Sequence, residues 1–556
     1  MRMKMKSVLL IALVACILFV VACGPAADPP TPGPGDVGTP GGIEIPAEGG
    51  DAVGVVGGEL EEGAQVAQHV DIILQEDLVV VNPLLPAGNG AAPTWAHRLI
   101  HDRLMDQPQP GVFVPALATR WETDDFQTWR FYLRDDVSWH NGDHFTADCV
   151  RFTVENALAN PGTLAFNRYR NVETVNVIND YTVELILNEP NVDILFEFAN
   201  HGGASILNRR AFEENPEDPM WASIGTGPFQ VADFTTADFM RLERFDGFWG
   251  EAPPTQSMTL WSIPEEATRA VMLESGEVQV SFGLSAEALD RFGAMADFQL
   301  FSAMNVSPTS FSFNNMGDEV VMCPYFRRAV AHALIPEDVA FASWGNWAVA
   351  PWDGNLWGAG VQYRLEGLPR REHDPDLARS YLERSVYDGR SLELAVVPAS
   401  GVAPQVVQMQ LAAVGINVHI ETMDIPSFVD MHTLNPESER ELHLFPVAAN
   451  PSALRTLRTG FYPGAATNRL NYINPVVTEL TDLISSTNDE AIRRDAAYQI
   501  QRILYDDIPA IAVFFQLTGV ATVNGIGGIA MGNDPFATCF RDVFWDLNLA
   551  PEGLRP

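Results

Sequence analysis

The sequence predicts an α/β fold built from several units. Segments that alternate apolar and polar residues, typical of half-buried strands, interleave with helix-like segments along most of the chain. With 556 residues, 47% of them hydrophobic, the chain can bury a large core. At roughly 150 residues per domain, its length allows about three or four domains. A small disulfide scaffold and a wholly disordered chain are therefore both excluded.

The first elements of the folded body are predicted after residue 65. Residues 70–74 form a short apolar run that predicts a buried strand, and residues 92–104 have the pattern of a helix. Residues 129–134 and 181–187 alternate with a period of two, as half-buried strands do. Thr146 is placed to cap the N-terminus of a helix that we expect to reach residue 158. Strands and helices continue to interleave through the rest of the chain.

The N-terminus has the pattern of a secretory signal that ends at a lipid-attachment cysteine. Residues 1–6 are basic, residues 7–22 are almost wholly apolar, and the run ends at Cys23 in a segment that resembles a bacterial lipobox. Cys16 fits the same pattern but leaves only nine residues of apolar region before it. An uncleaved membrane helix is the alternative, although a span needs about 20 residues. We predict a signal peptide over residues 1–22 and lipid attachment at Cys23.

A Gly- and Pro-rich stretch follows this cysteine. Between Gly24 and Gly58, 18 of 35 residues are Gly or Pro, without apolar periodicity. Such a composition cannot bury enough surface to fold, so we predict a flexible linker over residues 23–65. Removal of residues 1–23 takes away three positive charges and no acidic one, which changes the net charge from −38 to −41.

The charge composition excludes several classes of function. With 34 Lys plus Arg against 72 Asp plus Glu, we expect no nucleic-acid partner, because phosphate contacts need clustered cations. Lys4 and Lys6 are the only lysines, so the body has no lysine for a Schiff base, a pyridoxal phosphate anchor or a P-loop. No G-x-S-x-G or H-E-x-x-H motif is present in the sequence. We therefore predict neither an enzyme nor a cofactor.

The cysteines and histidines of the body give weaker signals. Cys149, Cys323 and Cys539 allow at most one internal disulfide, and their spacing does not say which. His97 and His101 lie four apart on a predicted helix, a spacing that permits metal ligation. Without a third clustered His or Cys, a solvated helix face is the favoured interpretation, and we predict no metal site.

A long run after residue 130 carries a family resemblance. Residues 131–148, FYLRDDVSWHNGDHFTAD, resemble the signature of family 5 extracytoplasmic solute-binding proteins, the peptide, dipeptide and nickel receptors of ABC importers. Cys149 stands where that signature has an Asp. Further family-like segments follow the family order and include PALATRWE at 115–122, GTGPF at 225–229, LESGEV at 273–278, FRRAVAHAL at 326–334 and ILYDDIP at 503–509.

The resemblance implies a clamp similar to the type II periplasmic binding proteins, with two lobes around a cleft and an additional domain. Crossing strands would join the lobes, which close on a solute that contacts both of them. Mapped onto this chain, the resemblance places lobe one at residues 66–106, 222–305 and 515–556, the additional domain at 107–221 and lobe two at 306–514.

One candidate for ligand contact lies in lobe two, where the resemblance implies a W-x-A-D-Y-x-D-P segment. The first Asp of that segment pairs with the amino group of the peptide in peptide-binding relatives. Residues 444–451 occupy the corresponding region here and contain no carboxylate. Since a buried ammonium without a counter-charge costs several kcal/mol, we expect a neutral or modified ligand, such as an oligosaccharide or a blocked or unusual peptide. Phe445 and Asn450 are its candidate contacts.

A Gly-, Pro- and Asn-rich loop supplies further candidates. A 14-residue stretch of this loop contains four tryptophans, Trp344, Trp347, Trp352 and Trp357. Such aromatic side chains can form stacking walls for sugar rings or ligand side chains, or they can pack the loop onto lobe two. Both interpretations stay open at this point.

The sequence therefore predicts a lipid-anchored receptor on the outer face of the cytoplasmic membrane. It would capture a peptide-like or oligosaccharide-like solute between its lobes and deliver it to the permease subunits of an ABC importer. The alternatives are a receptor for nickel or a metal chelate and, less favoured, a surface hydrolase on the same scaffold. The lack of a nucleophile motif or a metal-ligand cluster in the sequence favours the first function.

Overall fold

The computed structural model describes residues 53–56, 58, 60–109, 111–200, 203–316, 318–424, 427–428, 441–447, 449–465, 467–532 and 538–555. The predicted signal peptide, Cys23 and most of the predicted linker lie outside these residues. Within them, no helix is both long and apolar enough to cross a bilayer.

The strands are distributed along the whole described chain. In chain order they are β1 (Val53–Val56), β2 (His69–Leu74), β3 (Met105–Gln109), β4 (Val112–Pro115), β5 (Ala118–Glu122), β6 (Thr128–Leu133), β7 (Val172–Asn179), β8 (Thr182–Leu187), β9 (Phe229–Thr235), β10 (Phe239–Arg244), β11 (Ser257–Ser262), β12 (Val280–Phe282), β13 (Phe298–Met304), β14 (Thr309–Phe313), β15 (Ala348–Val349), β16 (Ser391–Val396), β17 (Asn417–Thr422), β18 (Leu442–Pro446), β19 (Ala510–Val523), β20 (Ile526–Gly527), β21 (Ile529–Gly532) and β22 (Phe544–Trp545).

Helices alternate with these strands, as the α/β class requires. In chain order they are α1 (Ala91–Ile100), α2 (Ala147–Ala159), α3 (Leu164–Tyr169), α4 (Ile194–Phe198), α5 (Arg209–Glu214), α6 (Glu266–Glu274), α7 (Ala286–Gly293), α8 (Glu319–Met322), α9 (Pro324–Ala333), α10 (Pro336–Trp344), α11 (Pro375–Glu383), α12 (Ala403–Ala413), α13 (Ala453–Gly460), α14 (Pro475–Ser486) and α15 (Glu490–Asp507).

A large mixed sheet runs through the described chain in the order β17-β16-β18-β14-β19-β12-β2-β11-β10-β9. Strand β19 lies in the middle and belongs to both halves. Its first residues pair antiparallel with β14, and its residues from Leu517 onward pair antiparallel with β13. We call the half around β2, β11 and β12 the first lobe, and the half around β16, β17 and β18 the second lobe.

Each lobe has its own buried core. In the first lobe, β2 runs parallel to β11 and β12, and its completely buried Ile72 belongs to the same apolar cluster as Leu99 of α1 and Leu273 of α6. In the second lobe, β16 runs parallel to β17 and β18, and α9, α10 and α12 cover one face of the sheet. Helices α13 to α15 form a further apolar cluster with the start of β19.

A separate four-stranded antiparallel sheet has the order β5-β6-β8-β7. We call this sheet with α2 to α5 the four-stranded unit. Its strand β6 alternates as predicted, since Trp129, Phe131 and Leu133 are buried and the residues between them are less so. Helix α2 begins after Thr146, the predicted N-cap, although the Thr146 hydroxyl makes no capping hydrogen bond.

Two local predictions differ from the structure. The helix predicted over residues 92–104 ends at Ile100, because His101 takes an extended backbone conformation and the chain then enters β3. Strand β1 lies inside the range predicted as a linker, where three valines pair with β21 as an edge strand. Cys149, Cys323 and Cys539 are all free thiols.

The prediction of a solvated helix face at His97 and His101 is wrong. Both side chains are 1% exposed, and their ring centroids lie 5.9 Å apart. No group of three potential metal ligands exists among the described residues. Burial lowers the pKa of His97 to about 4 and holds the pKa of His101 well below its usual value. Both imidazoles are therefore neutral at physiological pH.

The buried His97 predicts a pH-dependent stability. Between pH 6.5 and about 4 the unfolded chain binds a proton at this residue that the folded chain does not, so stability falls as the pH is lowered through this range. We expect His97→Leu to reduce the loss of unfolding free energy between pH 6.5 and 4.5 by about 2 kcal/mol in urea titrations. His419→Leu, at an exposed position of β17, is the control. Identical pH slopes for both variants would contradict the prediction.

Candidate functional site

The strand directions predict where a crevice between the two lobes would lie. In the first lobe, the carboxyl end of β12 pairs beside Val520 of β19. In the second lobe, the carboxyl end of β18 pairs with Thr309 of β14, which in turn pairs with Phe514 of β19. The parallel strands of both lobes therefore end towards the same central stretch of β19, residues 514–520. Ligands of open α/β sheets bind in the crevice outside such carboxyl ends.

Phe445 marks the second-lobe side of this crevice. It is the fourth residue of β18, where Leu442 and Leu444 point into the core and Phe445 points to the opposite face of the sheet. Its ring stacks on Phe428 with a centroid distance of 4.5 Å. The guanidinium carbon of Arg469 lies 4.7 Å from the centroid of the Phe445 ring. Sequence patterns alone identified Phe445 but missed Arg469, which lies 24 positions further along the chain.

Asn450 uses its polar groups within its own loop. Its backbone N–H donates to the Thr456 hydroxyl at 2.8 Å, and its side-chain amide donates to the Thr459 hydroxyl at 3.4 Å. The described neighbours Val447 and Ala449 carry no charge, whereas Ala448 lies outside the described residues. The part of the segment that the structure describes therefore places a half-buried amide, and no carboxylate, after β18.

The four loop tryptophans fall into two pairs. Trp347 and Trp357 are each 1% exposed. Trp347 packs into the first-lobe core and donates its indole N–H to Asp290 of α7 at 3.0 Å. Trp357 packs against the cluster formed by α13 to α15. These two side chains hold the loop in place, in line with the packing interpretation.

The other two tryptophans are half-buried and lie nearer the crevice. Trp352 packs on Phe515 in the central stretch of β19, with ring centroids 5.4 Å apart. The guanidinium of Arg364 lies 4.8 Å from the Trp352 ring. Trp344 ends α10 and packs between the cores of both lobes. The structure therefore places Trp352 at the boundary between the lobes. Among the described contacts, none joins Trp352 to Phe445.

Ion pairs connect the four-stranded unit to the second lobe. Asp193 accepts a hydrogen bond from the Ser452 hydroxyl at 2.7 Å and pairs with Arg493 of α15. Glu197 of α4 pairs with Arg455 of α13 at 3.0 Å. Burial alone would raise the pKa of Glu197, but the guanidinium groups of Arg455 and Arg168 outweigh it, and the pKa is lowered. These contacts join the unit to α13, which begins directly after the Asn450 loop.

A second concave surface lies on the four-stranded unit alone. This groove, of about 360 Å³, runs between α2 and α5. Four of its charged side chains already form pairs, because Arg151 contacts Asp148 and Arg209 contacts Glu213. It is also built from one unit only, so it has no second lobe to close on a ligand.

Comparisons with known proteins agree with this architecture. Residues 112–452 match the model of the bacterial extracellular solute-binding proteins, family 5. The glutathione-binding protein GsiB of Salmonella paratyphi A is 27% identical over 314 residues, which cover 54% of this chain and 59% of that relative. The chain thus matches less than two thirds of the length of this relative.

Solved structures share the fold at low sequence identity. A putative peptide binding protein, AppA from Clostridium difficile, is similar with a TM-score of 0.73 and 18% identity, over 84% of this chain and 99% of its own. NikA from Brucella suis, solved in complex with Fe(III)-EDTA, is similar with a TM-score of 0.73 and 20% identity, over 86% and 99%. The two-lobe α/β fold predicted from the sequence is confirmed. Because the family model covers more than half of the sequence, this chain belongs to the bacterial extracellular solute-binding proteins of family 5.

Proposed function

We propose that this protein is the receptor of an ABC importer and captures a peptide-like solute between its two lobes. The observation that carries the proposal is the convergence of parallel strand ends from both lobes on residues 514–520 of β19. A solute there touches both lobes and so binds the closed arrangement more tightly than the open one, which drives closure. The domain boundaries expected from the sequence, with the additional domain at residues 107–221, are part of this proposal.

The solute class is supported by the relatives and by the segment after β18. GsiB is a glutathione-binding protein by name, and AppA is a putative peptide binding protein. Val447, Ala449 and Asn450 offer no carboxylate to a free amino group. This supports a peptide whose amino end is blocked, modified or held elsewhere, or an oligosaccharide as the neutral alternative. Half-buried Phe445 and Trp352 supply the apolar walls that such solutes need.

Two other functions have less support. A receptor for a metal chelate is favoured only by the likeness to NikA, which at 20% identity shows the fold alone. No group of three metal-ligand side chains occurs within the described ranges. A surface hydrolase would need a nucleophile with an adjacent base, and the sequence offers no such motif.

The proposal predicts solute binding that depends on the crevice. We expect the full chain, purified in detergent, to bind at least one member of a panel of glutathione, tripeptides, their N-acetylated forms and oligosaccharides in titration calorimetry. Acetylation should change the affinity for a bound peptide by less than about tenfold, because no described carboxylate after β18 pairs with the amino group.

The matched variants for this titration are Phe445→Leu and Phe341→Leu. Phe341 is 70% exposed on α10, so its replacement should leave binding unchanged. Phe445→Leu should weaken binding by about tenfold or more, since stacking area at the crevice is lost. Equal solute affinities for the two variants would show that Phe445 does not contact the solute. Binding lost on acetylation would show that another carboxylate holds the amino group.

The proposed lipid anchor at Cys23 has its own test. We expect Cys23→Ser to move the protein from the membrane fraction to the soluble fraction or to block signal cleavage, because the thiol that carries the lipid is gone. Cys16→Ser is the matched control, since Cys16 lies in a similar segment and should not matter. Release of the Cys16→Ser protein, with retention of the Cys23→Ser protein, would contradict the assignment.

A further inference from the structure

Arg469 is a half-buried cation whose charge no described acidic group neutralises. Several other half-buried or buried arginines of the second lobe form ion pairs: Arg364 with Asp353, Arg390 with Glu441, and Arg493 with Asp193. Arg327 and Arg371 form no ion pair within the described residues, but their guanidinium groups donate hydrogen bonds to backbone carbonyls. For Arg469, no ion pair with a carboxylate exists within the described part of the chain, and its guanidinium lies over the face of Phe445. Burial lowers the pKa of its guanidinium, with no opposing contribution from a nearby acid.

A desolvated charge without a counter-charge is unfavourable, and an arginine cannot escape this cost by losing its proton. Replacing such a group by an apolar side chain is often neutral or stabilising for the folded protein. The position of Arg469 is therefore poorly explained by the stability of the ligand-free molecule. It is explained if a negatively charged group arrives from outside.

The backbone on both sides of Arg469 is held in place. The Asn468 side chain donates to the backbone carbonyls of Tyr462 and Tyr472 at 3.2 and 3.0 Å. The Leu470 carbonyl accepts hydrogen bonds from the backbone N–H and the side-chain amide of Asn315 at 2.9 and 2.8 Å. The guanidinium thus extends from a fixed anchor, which reduces the entropy lost when it binds a partner.

The surroundings of Arg469 are those of the crevice. Phe445, on which the guanidinium lies, stands at the carboxyl end of β18. Ser310 of β14 is directly opposite Phe445 in the sheet, so its side chain lies on the same face. The Ser310 hydroxyl is fully buried and has no hydrogen-bond partner among the described residues. Phe445 thus has an unpartnered hydroxyl as its cross-strand neighbour and an unneutralised cation over its ring, which fits a charged, hydrogen-bonding ligand better than a purely apolar one.

We propose that Arg469, held against Phe445, binds a carboxylate of the captured solute. This inference rests on the proposed function and makes it more specific. It revises the expectation of a neutral solute, because a peptide with an unrecognised amino end would still present its carboxylate to Arg469. The planar guanidinium offers two parallel N–H donors to a carboxylate, a geometry that lysine cannot reproduce.

The decisive experiment compares Arg469→Met with Arg458→Met. Methionine keeps an unbranched side chain against the ring and removes the charge. Arg458 is the matched control, because it also lies over an aromatic ring, that of Tyr462 at 5.3 Å, but has Asp482 as an acidic neighbour at 3.8 Å. The probes are a mixed tripeptide library with free carboxyl ends and the same library with amidated carboxyl ends, and bound peptides are quantified by mass spectrometry.

We expect the wild type and Arg458→Met to retain the free acids at least tenfold better than the amides. Arg469→Met should lose this preference, and Arg469→Lys should restore only part of it. Equal retention of acids and amides by the wild type would overturn the proposal for Arg469 and leave the proposed function intact. Retention of neither library would instead count against a peptide receptor.

Urea unfolding of the solute-free protein tests the proposal for Arg469 even if neither peptide library is retained. If no acid of the chain neutralises the guanidinium, Arg469→Met should unfold at the same urea concentration as the wild type or at a higher one. A clear loss of stability, larger than that of Arg458→Met, would show that a group of the chain itself neutralises the Arg469 guanidinium. That result, or a failure of Arg469→Met to fold, would overturn the proposal.

Discussion

The whole arrangement is set by one strand that both halves of the large sheet share. Strand β19 has 14 residues, which at about 3.4 Å per residue span roughly 45 Å, enough to serve both lobes. Its pairing with β14 fixes the second lobe, and its pairing with β12 and β13 fixes the first. Strand β12 runs antiparallel to β19, whereas β18 runs antiparallel to β14 and therefore parallel to β19. The parallel strands of the two lobes thus point towards each other, and their carboxyl ends converge on the centre of β19. The crevice is a consequence of this topology before any side chain is considered.

Side-chain contacts then fix the loop after α10 and the four-stranded unit around the two lobes. Trp347 crosses from the loop after α10 into the first-lobe core, where it packs on the backbone of Gly519, a position at which a Cβ would lie 2.5 Å from its ring. The pairs of Asp193 with Arg493 and of Glu197 with Arg455 join the four-stranded unit to α13 and α15. Helix α13 follows the loop that β18 enters after Phe445. The four-stranded unit is therefore joined by an ion pair to the helix that follows the Phe445 segment.

The sequence was most informative where a pattern is local. The alternation of β6 and β8, the buried run of β2 and the N-cap of α2 depend on neighbouring residues, and the structure confirms them. The family resemblance added the two-lobe arrangement. Burial of His97 and His101 was missed, because a four-residue spacing does not say which side of a helix is covered. Arg469 was missed for a similar reason, since only the folded chain brings it to Phe445.

A crystal structure of the protein with its retained solute would test most directly whether both lobes contact the ligand. We expect the solute between the lobes, in contact with Phe445 on one side and with the first lobe, near the carboxyl ends of β2 and β12, on the other. A carboxylate of that solute should lie within hydrogen-bond distance of Arg469. A solute bound in the groove between α2 and α5, or touching only one lobe, would show that the two lobes on either side of β19 do not close on the ligand.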